Sequence, residues 1–367
     1  MRLVHEVLNP TEFPGSSLAE DAVLFDIETT GLSADTSYLY LIGAIYRTGE
    51  GITLSQWFCD EYSEEKEVLA SFLSFLKGYS TLVHYNGTGF DIPYLNKKIK
   101  RHCLQGFIDS SNTMDLYKLL YPFKKHTVLP NFKQKTLEEA SGFHREDTFS
   151  GGDLIEVYAA YAGKSRLAAL TGKTEEADAL RHVLLLHNHD DLLGLLYLYQ
   201  NTHLSAWEAD ALTPSVIQFS ENLLFTFDFP LLPCPLTITQ NGCTFTISKK
   251  TTDLWLPLSH CELKYFFKDY KNYTYLKYED TAVHNSVAEW VDKEAKEKCK
   301  PSTAYQKKTG DFVMLPFSKP EQEEVLKNIP LFYVGHKTLP AFLEYSQETL
   351  CNREFIKACF RAFLKMK

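Results

Sequence analysis

The sequence predicts two folded parts, an α/β part over residues 20–205 built as a mixed sheet flanked by helices, and a smaller, β-rich α+β part over 206–367. Residues 1–19 read as an N-terminal extension. Three observations lead there. At 367 residues the chain exceeds what one core organises. The first half alternates strand-like with helix-like periodicity, which marks an α/β arrangement. Beyond the polar stretch Gln200 to His203, β-branched and aromatic residues with turn signals take over.

Val23–Ile27, Tyr38–Ile45 and Ile52–Phe58 read as strands separated by turn residues at 31–36 and 49–51, an antiparallel meander. Glu64–Leu76 follows as a helix and Thr81–Val83 as a fourth strand. Ile92–Arg101 opens a further helix, with Asp91 expected at the N-cap and Pro93 in the first turn, where its missing N–H costs little. Leu180–Leu198 is the most apolar-periodic stretch and carries Asp190 and Asp191 in its middle. Leu212-Thr213-Pro214 opens the second part. There Leu236–Ile247 alternates around Asn241-Gly242, a strong hairpin signal. A second hairpin is expected over Ala304–Leu315 around Thr309-Gly310, with helices at Val287–Lys298 and Pro340–Met366.

Composition narrows the function classes. Apolar residues make up 44% and charged residues 23%, as in a folded soluble protein, and no apolar run approaches the roughly 20 residues of a bilayer span. With no recognisable leader pattern, the chain is expected in the cytoplasm. Eight scattered cysteines never fall as CxxC, so they read as reduced thiols rather than a zinc ribbon or disulfide framework. The net charge of -9 sits wholly in residues 1–205, where 18 basic residues face 27 acidic ones. Such an excess remains compatible with a phosphate-bearing partner if part of it binds cations, which invert the local field.

The acids are ordered. Phe25-Asp26-Ile27-Glu28 places two carboxylates two residues apart on a strand, and period-2 geometry points both to one face. Two such groups want a cation. His84-Tyr85-Asn86-Gly87-Thr88-Gly89-Phe90-Asp91 sets another acid after a strand and a glycine-rich turn. His187-Asn188-His189-Asp190-Asp191 supplies a fourth, with His187 and Asp191 at i and i+4 on one helix face. Each piece has an ordinary reading, as a turn acid, a helix cap or a core histidine. Asp191 amid buried leucines is the hardest to explain as a solvated charge.

This ordered set, D-x-E on the first strand, N-x-x-x-F-D after the fourth and an acid inside a late apolar helix, resembles the DEDD superfamily of 3′-to-5′ exonucleases. The resemblance spans roughly residues 20–205. The stretch Leu129–Tyr161, LPNFKQKTLEEASGFHREDTFSGGDLIEVYAAY, is similar to a prokaryotic ribonuclease H-like, exonuclease-related group. The resemblance implies a ribonuclease H-like fold, with Asp26, Glu28, Asp91 and Asp191 holding two divalent ions, Mg²⁺ or Mn²⁺. Asp191, rather than Asp190, keeps the register. Uncompensated, each carboxylate pair about 4 Å apart would repel by roughly 4 kcal/mol at an effective dielectric of about 20, so the cluster calls for hard cations. Two metals can activate a water and stabilise a leaving 3′ oxygen, giving nucleoside 5′-monophosphates.

The superfamily divides by a Tyr four positions, or a His five positions, before the last Asp. This chain has His187 at the tyrosine position and Leu186 at the histidine position, so it matches neither subtype. His187 is read as the proton-handling residue, with His189 pointing elsewhere. The resemblance also implies contacts to the terminal nucleotide from Thr29 and Leu32 and to the penultimate one from Asn86 and Phe90, Phe90 being equally readable as packing. Lys97, Lys98, Lys100, Arg101, Lys124, Lys125, Lys133 and Lys135 offer phosphate contacts or a solvated face.

In the second part, Lys264–Tyr278 interleaves aromatics with lysines. A groove for single strands is one reading, and a β-rich core with solvated lysines is the favoured one. The expected partners are single-stranded DNA or RNA, with a nucleic-acid-processing protein as a further partner for the second part. The leading reading is a metal-dependent exonuclease on single-stranded or frayed ends. Its alternatives are a non-catalytic nucleic-acid-binding or adaptor protein and a hydrolase of small nucleotides.

Overall fold

The computed structural model describes residues 1–13, 18–49, 51–149, 151–202, 214–219, 221–346 and 353–364. It divides into two compact units, Met1–His203 with Leu232–Cys234, and Leu204–Leu231 with Pro235–Lys367. The boundary expected at 205 lies outside the described residues, as do Leu212 and Thr213.

The first unit is built on β1 (Arg2–Val7), β2 (Ala22–Thr29), β3 (Leu39–Thr48), β4 (Gly51–Phe58), β5 (Thr81–His84) and β6 (Thr113–Asp115), in the order β1-β4-β3-β2-β5-β6. β1 to β4 pair antiparallel, and β2, β5 and β6 pair parallel. The meander is therefore present, in a mixed sheet. Residues 1–19 are more than an extension, because Arg2–Val7 pairs along β4 as an edge strand. Its mostly exposed, mixed apolar and charged residues lack the strict alternation that signals a strand.

Helices α1 (Glu65–Leu76), α2 (Asp91–Arg101), α3 (Leu116–Leu120), α4 (Gln134–Ser141), α5 (Gly151–Thr171) and α6 (Glu175–Gln200) cover this sheet. The core gathers Val23, Phe25 and Ile27 of β2, Tyr40 and Ile42 of β3, Val68 and Phe72 of α1, Leu95 of α2, Tyr158 of α5 and Leu184 of α6. Asp91 is the first helical residue of α2 rather than its cap; Phe90 takes the cap position and makes no side-chain cap bond.

α6 approaches β3 at one glycine. A Cβ on Gly43 would lie 2.0 Å from Asn188 Oδ1 and 2.5 Å from Leu192 Cδ1. Since Gly43 faces Asp26 across the β2–β3 ladder, the contact sets α6 directly over the first acid. The ladder shifts register between Glu28 and Thr29, ending regular pairing just past the second acid.

In the second unit the Asn241-Gly242 hairpin forms between Leu236–Gln240 and Cys243–Ile247, and both turn residues take positive φ, 50° and 79°. Three expectations there are corrected. Thr309-Gly310 makes no turn: Tyr305–Met314 is one strand along the long strand Thr252–Phe266, with Gly310 opposite Cys261, so tertiary pairing overrides a weak local signal. Val287–Lys298 is not a helix: its apolar residues Val287 and Trp290 remain 59% and 91% exposed, so a helical stripe there would gain little burial to hold it together. It holds only the short helix Asn285–Ala288 and the strand Lys296–Lys298. The helix expected over Pro340–Met366 is the strand Phe342–Glu344 followed by the helix Arg353–Leu364; residues 347–352 and 365–367 lie outside the described residues.

Most aromatics of Lys264–Tyr278 pack on other rings, with Phe267 stacked on Tyr273 at 3.9 Å, Tyr265 edge-on to Phe267 at 5.4 Å and Phe266 and Tyr275 against Tyr305, while Tyr278 is 80% exposed. Lys264 Nζ lies 4.0 Å from the centroid of Tyr305. Among the described residues no helix is long and apolar enough to cross a membrane.

Candidate metal centre

Asp26, Glu28, His187 and Asp191 line one cleft of about 580 Å³ in the first unit, together with Lys133, Gln134, Lys135 and Phe149. Alternation along β2 sends Asp26 and Glu28 to the same face, and one turn of α6 places His187 and Asp191 above them. Glu28 Oε1, His187 Nε2 and Asp191 Oδ2 come together: Nε2 is 3.7 Å from Glu28 and 3.2 Å from Asp191.

Asp91 is not among the residues lining the cleft, yet it belongs to the same electrostatic cluster. Burial raises the Asp26 carboxyl well above its ordinary range, and the charges of Asp191, Glu28 and Asp91 raise it further. Burial also raises Glu28, followed by Asp191, Asp91 and Asp147. Asp91 is pushed up to about 7, by burial first, against the lowering effect of the Asp91 and Ile27 backbone N–H groups. The charge of Asp191 on α6 thus acts on Asp26 and Glu28 of β2 and on Asp91 of α2 alike, and makes ionisation of each harder.

Around this cluster stand residues that the sequence reading did not single out. Asp147, its side chain almost fully buried, accepts from His187 Nδ1 at 2.7 Å and from Lys135 Nζ at 3.1 Å. Burial works against its charge, but the Phe149 N–H, His187 and Lys135 hold it below the usual carboxylate range. Arg145 pairs with Asp191 Oδ1 and with Glu138, the latter also through Nη2 at 2.7 Å. Glu138 is itself wedged against α6, where a Cβ on Gly194 would overlap it. Asn188, fully buried, donates to Asp26 Oδ2 at 3.0 Å. Arg145 and Asp147 sit in the run His144-Arg145-Glu146-Asp147, whose cluster of charges was the available signal.

The neighbouring aspartate is used differently. Asp190 Oδ2 accepts from the backbone N–H of Glu146 and of Asp147, both at 2.8 Å, and Oδ1 faces His189. His189 turns away from the cluster toward Glu6 on β1, 3.4 Å from its carboxylate.

The residues expected to touch substrate lie apart from the lining of the cleft. Thr29 Oγ1 donates to the Gly31 carbonyl at 2.9 Å, and Leu32 is 88% exposed. Asn86 is exposed at φ 60°, and its N–H donates to Asp115. Phe90 is half-buried, its ring 5.5 Å from Tyr94 at the margin of the core. Lys98 departs from its expected place on a solvated or phosphate-facing surface: it is fully buried, paired with Glu65 at 2.7 Å. Its aliphatic stem continues the apolar face of α2, which draws it inward while Lys97 stays outside.

The donors fit a divalent cation. Carboxylate oxygens suit Mg²⁺ and Mn²⁺, and the ligand atoms of Glu28, His187 and Asp191 lie within 4.8 Å of one another. Such a charge in the cleft would relieve the repulsion that raises Asp26 and Glu28.

No curated protein matches the chain. Among solved structures it is similar to the family B DNA polymerase of the hyperthermophilic archaeon Pyrobaculum calidifontis, at 16% identity and a TM-score of 0.37. That match covers 68% of this chain but 35% of the polymerase, and so low a score supports no functional comparison. Residues 23–203 match the family model RNase_H_2 of the RNase_H superfamily. With its mixed sheet and flanking helices, the first unit of this chain is a ribonuclease H-like domain.

Proposed function

We propose that the chain is a metal-dependent nuclease that removes nucleotides from the 3′ end of single-stranded or frayed nucleic acid in the cytoplasm. The observation that carries the reading is the convergence of Asp26, Glu28, Asp91 and Asp191 on one field inside a ribonuclease H-like domain. Buried acids brought this close are unfavourable when ionised, and cations would relieve that cost.

In this reading Asp26, Glu28, Asp91 and Asp191 hold two divalent ions, Mg²⁺ or Mn²⁺. The ions, when bound, supply Lewis-acid stabilisation of the phosphoryl oxygens and a nucleophile at neutral pH. The chain's own residues do the positioning. Asn188 fixes one oxygen of Asp26, and Arg145 occupies Oδ1 of Asp191, leaving Oδ2 toward the cleft. Lys133, which also lines the cleft, offers a cation for the substrate phosphate. Leu32, exposed beside the β2 end, offers an apolar face to the terminal base.

The test is a time course on 5′-labelled single-stranded DNA and RNA with Mn²⁺, comparing wild type with Asp26→Ala and Asp191→Ala. A ladder shortening from the 3′ end, absent in both variants, is the expected result. Unchanged cleavage in either variant would remove that residue from the site, and no cleavage of either substrate would favour a binding role.

A further inference from the structure

His187 is 3% exposed, and both of its ring nitrogens face carboxylates. An ionised carboxylate can only accept, so the 2.7 Å contact with Asp147 requires the proton on Nδ1. In the neutral ring that leaves a lone pair on Nε2. This lone pair points at Asp191 Oδ2, 3.2 Å away, and at Glu28 Oε1, 3.7 Å away. These three donor atoms lie within 4.8 Å of one another, a grouping that one cation can hold. Around a cation with bonds of about 2.1 Å, neighbouring donors stand about 3 Å apart, close to the spacing seen here. A ring N–H held by a buried carboxylate is also the usual outer partner of a metal-bound histidine, fixing its tautomer and orientation.

The geometry points to His187 as a metal ligand through Nε2, completing a set with Glu28 and Asp191, and to Asp147 as the residue that positions it. This replaces the proton-handling role expected of His187, and it rests on the reading of the cleft as a divalent-metal centre. An imidazole in the set also selects the ion. Mn²⁺ accepts nitrogen readily, whereas Mg²⁺ strongly prefers oxygen and retained water. The site therefore favours Mn²⁺ over Mg²⁺. Lys135 shares the Asp147 carboxylate and donates to the Phe149 carbonyl at 2.6 Å, which anchors that carboxylate to the cleft wall.

The experiment uses the full chain titrated with Mn²⁺ alone, followed by pulsed electron paramagnetic resonance on protein made with ordinary and with ¹⁵N-labelled histidine. Wild type is expected to show one directly bound histidine nitrogen, with the label changing its coupling. His187→Gln is expected to abolish the coupling. Asp147→Asn is expected to weaken Mn²⁺ binding about 10- to 100-fold while Mg²⁺ binding changes less.

Bound Mn²⁺ without histidine coupling in the wild type would overturn the inference, whether or not the buried variants fold. Coupling unchanged in His187→Gln would do the same, as would wild type failing to bind Mn²⁺. Coupling present without cleavage of nucleic acid would support the ligand and sink the nuclease; cleavage with Mn²⁺ bound and no coupling would do the reverse.

Discussion

Asn188 of the long helix holds Asp26 of the first long strand: its Nδ2 donates to Asp26 Oδ2 at 3.0 Å, while its Oδ1 accepts from Gln56 Nε2 at the same distance. The amide is fully buried, so both ends of this bridge lack water as a substitute. Through it, the strand acid and the helix acid three residues beyond Asn188 are kept in one frame.

Asn188→Ala removes the donor to Asp26 and the acceptor for Gln56. Leaving buried polar groups unsatisfied costs about 1–3 kcal/mol, so the urea midpoint is expected to fall with the slope unchanged. Metal-dependent cleavage should fall further than stability accounts for, which is checked by assaying well below the unfolding transition.

Gly43→Ala would place a methyl group 2.0 Å from Asn188 Oδ1 and 2.5 Å from Leu192 Cδ1. The helix must move away, at a cost of about 1–3 kcal/mol for an overpacked contact. Because His187 and Asp191 ride on that helix, the expected outcome is both lowered thermal stability and weakened Mn²⁺ binding by calorimetry.

The metal-free protein should lose stability as pH rises. Asp91 is raised to about 7 from an ordinary 3.8, so between those values the folded chain holds a proton that the unfolded chain has released. Folding is then opposed progressively from about pH 4 to pH 7. Asp26 and Glu28 are raised as well and act in the same direction. Melting in chelator is expected to be lower at pH 8 than at pH 5.5. Added Mn²⁺ should raise the melting temperature more at pH 8, since it binds the ionised acids. A chelated sample that becomes more stable with rising pH would contradict the cluster.

Lys97 and Lys98 are neighbours with opposite fates. Lys98→Ala leaves Glu65 buried without its ammonium partner, a loss of about 3–5 kcal/mol. Lys97 pairs with exposed Asp35 at 3.3 Å, and Lys97→Ala should change stability by less than about 1 kcal/mol. Chemical unfolding of the two variants side by side measures the difference.

Much of the first unit was legible because its signals are local and periodic. The strands around Asp26 and Tyr40 are nearly continuous apolar runs, and Leu180–Leu198 carries too many leucines to be anything but a buried helix. The spacing of Asp26 and Glu28, and of His187 and Asp191, follows from strand and helix geometry alone. Asp147 was out of reach, since its meaning depends on a 2.7 Å contact to a residue 40 positions later. Lys98 was misread because the four basic residues of α2 look alike until the helix face is known. In the second unit, Thr309-Gly310 carried a genuine turn signal that yielded to pairing with a strand nearly fifty residues earlier.

The strand Arg2–Val7 has a consequence for how the protein behaves in company. It lies at the margin of the sheet, and next to it every side chain from Ile52 to Phe58 is buried. Stripping those six residues would bare a row of unpaired amides and carbonyls flanked by apolar groups, a template for recruiting a foreign strand. With Arg2, His5 and Glu6 on its mostly exposed surface, the first strand presents a charged and poorly matching border. In that position it covers the buried strand β4 and gives the sheet a border poorly suited to pairing with a foreign strand.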